Sequence, residues 1–308
     1  MAGKKYSCDV LIIGSGVTGL ATAMYSARFN LKPIVVGDTP GGVITLTDDV
    51  SNYPGFKKLT GIELADKVRD HALDYGVEIL NDFIERIEKK GKLYVAKSSD
   101  SVFEAKTVVL ATGTKNKKLG VSGEEKFTGK GVHTCALCDA PFYKNKVVAV
   151  VGGSDSAAKE ALLLAQHAKK VYMIARGEKI KPEPINGEKI ANNKKIEVIL
   201  NTNILEIVGT NKVTHVVLDK SFEGEKELKL DGVFVEIGHI PLSDLAKSLG
   251  ANLNKKGEVI VNRNAQTNIA GLFAAGDVVD TEFKQAITGV AEGVTASYFA
   301  YKYISENF

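Results

Sequence analysis

The constraint that narrows this chain most is a local pattern that occurs twice. Val10-Leu11-Ile12-Ile13 is an unbroken apolar run, followed at once by Gly14-Ser15-Gly16-Val17-Thr18-Gly19. Leu20 to Arg28 reads as a helix, with good formers such as Ala21, Ala23, Met24 and Ala27, and Pro33-Ile34-Val35-Val36 reads as the next strand. Far downstream, Val147-Val148-Ala149-Val150-Val151 leads into Gly152-Gly153-Ser154-Asp155-Ser156-Ala157, an Ala/Leu-rich helix to Ala168, and Val171-Tyr172-Met173-Ile174. A strand with no polar alternation is covered on both faces, as in a parallel sheet. Parallel neighbours need a crossover, usually a helix. The expected class is α/β with two Rossmann-like dinucleotide-binding domains.

Each part of the first unit has a physical task. Gly14 permits the tight turn, Gly16 lets a pyrophosphate approach the backbone, and Gly19 lets helix and strand pack closely. The helix N-terminus supplies free N–H groups and partial positive charge for phosphates. Asp38, 19 residues after Gly19, can accept ribose hydroxyls. The bland alternative is a tight strand–helix turn in an unrelated α/β domain. The second unit has Ser154 where the second glycine usually sits and Ala157 at the third, so its alternative is a duplicate that no longer binds. Taken together, two such units suggest two dinucleotides, FAD and NAD(P)H.

Shorter strands surround these units. Val108 to Leu110 runs into Ala111-Thr112-Gly113, Asp231 to Gly238 ends at Gly238-His239, and Gly271 to Ala275 ends at Gly276-Asp277. Lys284-Gln285-Ala286 opens a long final helix, and Lys115-Asn116-Lys117-Lys118 is a polar linker or a solvated loop. The 40 basic and 37 acidic residues nearly cancel, so no nucleic-acid or anionic-membrane partner is expected. No apolar run approaches the roughly 20 residues of a membrane span. The segment from Met1 to Asp9 carries no export signal, so a cytoplasmic location is the expectation.

Of three cysteines, Cys8 stands alone and reads as a small buried side chain. Cys135-Ala136-Leu137-Cys138 lies 14 residues before Gly152. A C-x-x-C beside a βαβ unit reads as a redox dithiol. A helix starting at the first cysteine favours its thiolate, and Asp139 can exchange a proton with sulfur. The rival is a zinc half-site with His133 as a third ligand. A closed site normally needs four ligands and no second pair exists, so no metal is expected and His133 reads as an ordinary strand or loop residue.

In this order the motifs resemble the low-molecular-weight thioredoxin reductase family, over essentially the whole chain. The matching residues are Gly14 to Gly19, Gly41-Gly42, Asn52-Tyr53-Pro54-Gly55, Ala111-Thr112-Gly113 and Cys135 to Asp139. They continue with the second glycine turn, Ile237-Gly238-His239, Ala275-Gly276-Asp277 and Lys284-Gln285-Ala286. The resemblance implies that the second domain is inserted into the first. Residues 1–113 and 241–308 would bind FAD, and 114–240 would bind NAD(P)H and carry the cysteines. Two linkers would act as a hinge, letting either the nicotinamide or the disulfide face the flavin. It implies FAD contacts from Gly14, Ser15, Gly16, Val17, Thr18, Gly19, Asp38, Gly41, Gly42, Asn52, Ala111, Thr112, Gly113, Gly276, Asp277, Lys284, Gln285 and Ala286. Gln285 and Ala286 would present backbone N–H groups to the isoalloxazine. Nucleotide contacts would come from Gly152, Ser154, Asp155, Ser156, Ala157, Arg176, Lys181, Gly238 and His239. Cys138 would face the flavin, Cys135 would attack a thioredoxin-like partner, and Asp139 would be the acid/base. A homodimer is implied.

The departures gather in the central segment. The family's NADPH users carry His-Arg-Arg-x-x-Phe-Arg where this chain reads Ala175-Arg176-Gly177-Glu178-Lys179-Ile180-Lys181. Lys offers no bidentate fork to a phosphate, yet no acid occupies 174–177 to hold a ribose diol. NADPH, NADH and a non-nicotinamide donor such as ferredoxin or a deazaflavin therefore stay open at this level. Another acceptor, or a non-enzymatic flavin-binding redox sensor, stays open too. Val43 replaces the Gln common after Gly41-Gly42, and Ala140 follows Asp139 where Gly is common.

Overall fold

The computed structural model describes residues 4–47 and 50–308, which divide into two compact units, one of the residues up to 115 with 240–308 and one of 116–239. In the first unit β1 (Lys4–Ile13) leads through α1 (Val17–Arg28) to β2 (Pro33–Val36), then α2 (Gly61–Asp74) and β3 (Glu78–Leu80). An antiparallel pair, β4 (Arg86–Lys90) and β5 (Leu93–Lys97), precedes β6 (Ser101–Leu110). The order β3-β2-β1-β6-β5-β4 places β6 beside β1, parallel along almost its whole length. The second edge of β6 is shared. Its first half pairs antiparallel with β5, and its last three residues pair parallel with a strand that arrives from the far end of the chain.

The chain leaves this unit through β7 (Thr114–Asn116). The central unit has α3 (Glu124–Phe127), β8 (Val132–His133), α4 (Ala136–Asp139), β9 (Val147–Val151), α5 (Asp155–His167), β10 (Lys170–Ile174), α6 (Pro184–Ala191) and β11 (Ile196–Ile199). An antiparallel sheet of β12 (Ile204–Gly209), β13 (Val213–Phe222) and β14 (Glu225–Lys229) follows, then β15 (Gly232–Val235). The parallel sheet runs β11-β10-β9-β15-β8, repeating the 3-2-1-4 arrangement of the first unit. The chain returns through β16 (His239–Pro241), which pairs with β7, and closes with α7 (Asp244–Ser248), β17 (Leu272–Ala274) and α8 (Ala286–Asn307).

Sequence explains the local choices. Thr60 and Glu63 form a reciprocal capping box that starts α2. Each first strand buries its apolar run on both faces: Val10, Leu11 and Ile12 are buried, as are Val148, Ala149 and Val150. Helices start within the glycine turns, where the strand ends leave no room for side chains. A Cβ on Gly14 would stand 2.1 Å from the Ala111 carbonyl oxygen, and one on Gly19 1.9 Å from that of Gly14. In the central unit a Cβ on Gly152 would stand 2.1 Å from the Glu236 carbonyl oxygen.

These contacts are backbone to backbone and cannot be relieved by a rotamer change. Gly19→Ala should therefore cost about 2–3 kcal/mol, the upper range for overpacking. Urea denaturation followed by circular dichroism should show a lower midpoint with an unchanged slope.

Candidate active site

In the first unit Gly16 is the N-cap of α1 and offers it no side-chain cap. The N–H groups of its first turn have no intrahelical acceptors. A loop from β2 lies over this turn: the Gly41 N–H donates to the Ser15 carbonyl at 3.0 Å, and the Ser15 hydroxyl to the Thr39 carbonyl at 3.0 Å. A Cβ on Gly42 would come within 2.8 Å of the Gly16 Cα. Bare backbone, free donors and a positive helix end fit a pyrophosphate, and a side chain at Gly42 would fill the gap. Asp38 is exposed just beyond β2 and accepts from the Thr39 hydroxyl at 3.2 Å.

The C-terminal segment meets the same end of the sheet. Ala111 N–H donates to Ile13 and Ala275 N–H to Leu110, at 2.8 and 3.0 Å. Gly276 N–H donates to Glu292 at 2.8 Å. The Lys284 ammonium, expected beside the flavin, contacts Glu258 at 2.6 Å and the Asp277 and Val279 carbonyls at 2.8 and 2.7 Å. It fastens loop 277–284, and with it Asp277. Asn52 donates to the Gln285 side chain at 2.9 Å, so the fold joins two expected site residues that are distant in sequence. The Gln285 N–H is donated to the Thr288 hydroxyl at 3.0 Å, and Ala286 is the first helical residue of α8. The Thr112 hydroxyl donates to the Leu242 carbonyl at 2.7 Å.

In the central unit Ser154 caps α5, accepting the Ala157 N–H at 3.4 Å. Asp155 also serves its own unit. It accepts the Glu183 N–H at 2.7 Å and the Asn186 amide at 2.8 Å, and pairs with Lys159 at 3.0 Å. These bonds fix the loop after β10. Beyond β10, Arg176, Lys179 and Lys181 are exposed and form no ion pair among the described residues. The Gly238 carbonyl accepts the Lys117 N–H at 2.9 Å, and His239 Nδ1 lies 3.1 Å from Asn116 Oδ1.

Cys135 and Cys138 are joined as a disulfide across α4, with their Cα atoms 5.4 Å apart. Cys135 is buried and stands at the N-cap, where its sulfur accepts the Cys138 N–H at 3.1 Å; Cys138 is exposed. Asp139, at the end of α4, lies 2.8 Å from His133 Nδ1. His133 Nε2 lies 2.7 Å from the Tyr143 hydroxyl, and the imidazole stacks on Phe234. Burial, then the charges of Asp139 and Asp231, push the Tyr143 phenol up to about 12, so it keeps its proton beside Nε2. Weighed in the sequence as a zinc ligand or a bland strand residue, His133 instead spends both ring nitrogens in an Asp139–His133–Tyr143 chain. Cys8 is buried, and burial followed by the Asp9 charge raises its thiol to about 12, which leaves it protonated.

The family described as pyridine nucleotide-disulphide oxidoreductase matches residues 8–293. The chain is 40% identical to the thioredoxin reductase of Rickettsia prowazekii over 309 residues, covering 98% of this chain and 100% of that protein. It is 41% identical to that of Mycolicibacterium smegmatis over 303 residues, 97% of each. The chain belongs to the low-molecular-weight thioredoxin reductase family. Its fold agrees: the Lactococcus lactis thioredoxin reductase superposes with a TM-score of 0.93 at 35% identity, over 97% of this chain and 99% of that one. As that family implies, it is a flavoprotein oxidoreductase that works with FAD and a pyridine nucleotide.

Around the disulfide, sequence reasoning passed over Tyr143, Glu160 and Glu236. Burial raises Glu160 to about 7, partly offset by the Ala136 N–H and reinforced by Asp139. Burial and then the Glu160 charge raise Glu236 to about 8. The folded protein therefore holds protons, from about pH 4.5 upward, that the unfolded chain has released, so stability falls as pH rises toward about 8. Denaturation midpoints at about pH 6 and about pH 8.5 should show this loss, and Glu236→Gln should flatten it.

Proposed function

We propose that residues 1–113 with 241–308 hold FAD, and that 114–240 hold the pyridine nucleotide and pass electrons to a thioredoxin-like protein through Cys135 and Cys138. The observation that carries this reading is the Cys135–Cys138 disulfide with Asp139 fixed beside it by His133 and Tyr143. The N-terminal turn of α1, with Gly14, Gly16 and Gly19 and the facing Gly42, would bind the FAD pyrophosphate. Asp38 would take a ribose hydroxyl, and Asn52, Gln285 and Asp277 would line the flavin side. Bound there, FAD supplies two-electron exchange between a nicotinamide and a disulfide.

The protein's own groups then manage sulfur and proton. Electrons enter at the exposed Cys138 sulfur, the S–S bond breaks, and Cys135 departs as a thiolate. The Cys138 N–H that already contacts the Cys135 sulfur stabilises that charge. The thiolate attacks the partner disulfide, forming a mixed disulfide that Cys138 resolves. Asp139 exchanges the proton with the sulfurs, and His133 holds its carboxylate in place.

For the donor, Arg176 is the one guanidinium in the segment 175–181 after β10, aided by the point charges of Lys179 and Lys181 and opposed by Glu178. No acid occupies 174–177, where a ribose diol would be held. We read this as a site that accepts both nucleotides, with NADPH favoured by charge alone. Homodimer assembly and a cytoplasmic location complete the proposal. Among the described residues no helix is long and apolar enough to cross a membrane.

Anaerobic flavin bleaching by NADPH, NADH and reduced ferredoxin in parallel, followed by turnover with thioredoxin, tests the whole reading. A protein that binds no flavin, or whose flavin is bleached while thioredoxin stays oxidised, would sink it. NADPH should lead NADH by about tenfold in kcat/KM at low salt, a lead that added salt or Arg176→Gln reduces. Asp139→Asn should lower kcat with thioredoxin about 100-fold, the scale of one acid/base group, and leave flavin bleaching intact. His133→Asn should reproduce part of that loss.

A further inference from the structure

Beneath the disulfide helix lies a carboxyl that the exchange above does not use. Glu160, on α5, accepts the Ala136 N–H through Oε1 at 3.0 Å. Its Oε2 is closed off from solvent and has no hydrogen-bond partner, the one such side-chain atom among the described residues. Glu236, the residue after β15, is buried nearby, and the Glu160 charge acts on it. The other titratable groups around this spot are Asp139 on α4, His133 on β8 and Tyr143 in the turn that follows α4. No cation pairs with Glu160 or Glu236 among the described residues. A buried carboxyl with an unpartnered oxygen and acidic neighbours resists ionisation.

We propose that Glu160 is a positioning residue for the thiol–disulfide exchange: neutral, it holds the Ala136 N–H beside Cys135 without placing a negative charge under the thiolate. When it ionises, the new charge opposes the Cys135 thiolate. This rests on the reading of Cys135 and Cys138 as the exchanging pair. It gives the turn two settings, reactive when Glu160 is protonated and subdued when it is not. Burial puts the changeover at about 7, close to neutral pH.

The test is iodoacetamide alkylation of the dithiothreitol-reduced protein across pH, read by mass on the Cys135 peptide, which separates it from Cys8. The wild-type rate should rise with pH but lag a single-thiol curve above about pH 7, where Glu160 ionises. Glu160→Gln keeps an acceptor for Ala136 and should remove the lag, reacting about threefold faster near pH 8.5, as expected for a thiol relieved of one neighbouring charge. Glu160→Met, neutral and needing no partner, should do the same and serves if the Gln variant folds poorly. Glu236→Gln should keep the lag. If both neutral Glu160 variants follow the wild-type curve, or if Glu236→Gln alone removes the lag, the inference is overturned. If reduction exposes no alkylatable thiol at 135 or 138, the redox-pair reading fails and takes this inference with it.

Discussion

Backbone-against-backbone contact at the end of the first strand of each unit is the constraint on which the rest of the structure hangs. Gly14 packs against the Ala111 carbonyl, Gly19 against that of Gly14, and Gly152 against that of Glu236. Only residues without a Cβ permit this approach, and it brings a helix N-terminus to the strand ends. Once α1 is seated there, the loop through Gly41 and Gly42 and the segment at Gly276 can close on the same place. A Cβ on Gly276 would meet the Thr18 hydroxyl at 2.8 Å, so α1 and the distant C-terminal segment share the same tolerance.

The two strand–turn–helix units were legible because their signals are local: apolar runs, glycines and helix formers in fixed order. Their edges were less so. The first helix begins at Val17, not Leu20, since the glycine turn itself supplies its first residues. The strand expected to reach Gly238 ends at Val235, before the left-handed backbone of Gly238. The final helix starts at Ala286 because Gln285 is its cap. The antiparallel strands β12, β13 and β14 escaped notice, as charged residues such as Glu206, Asp219 and Lys220 interrupt their apolar pattern.

The site was legible at the cysteines and opaque around them. Cys-x-x-Cys-Asp is contiguous, so spacing alone exposes it. The residues packed around it come from separate elements: His133 from β8, Tyr143 beyond α4, Glu160 from α5 and Glu236 after β15. No periodicity links them, and only the fold brings the His133 nitrogens between Asp139 and Tyr143. Motif position also says little about what a side chain does. Asp155 and Lys284 stand where cofactor contacts were expected, yet each is bonded within its own unit, fixing a loop that borders the site.

The paired crossings β7 and β16 bear on how the chain is made. Because the central unit leaves and returns through adjacent strands, its two ends are brought together by its own structure. A ribosome that has released residues up to about 240 has delivered all of that unit, whereas β6 still lacks its partner β17 at 272–274. Domains fold as units during synthesis. The inserted unit can therefore be complete while the unit that began first still waits, with the end of β6 unpaired, for residues 272–274 to be made.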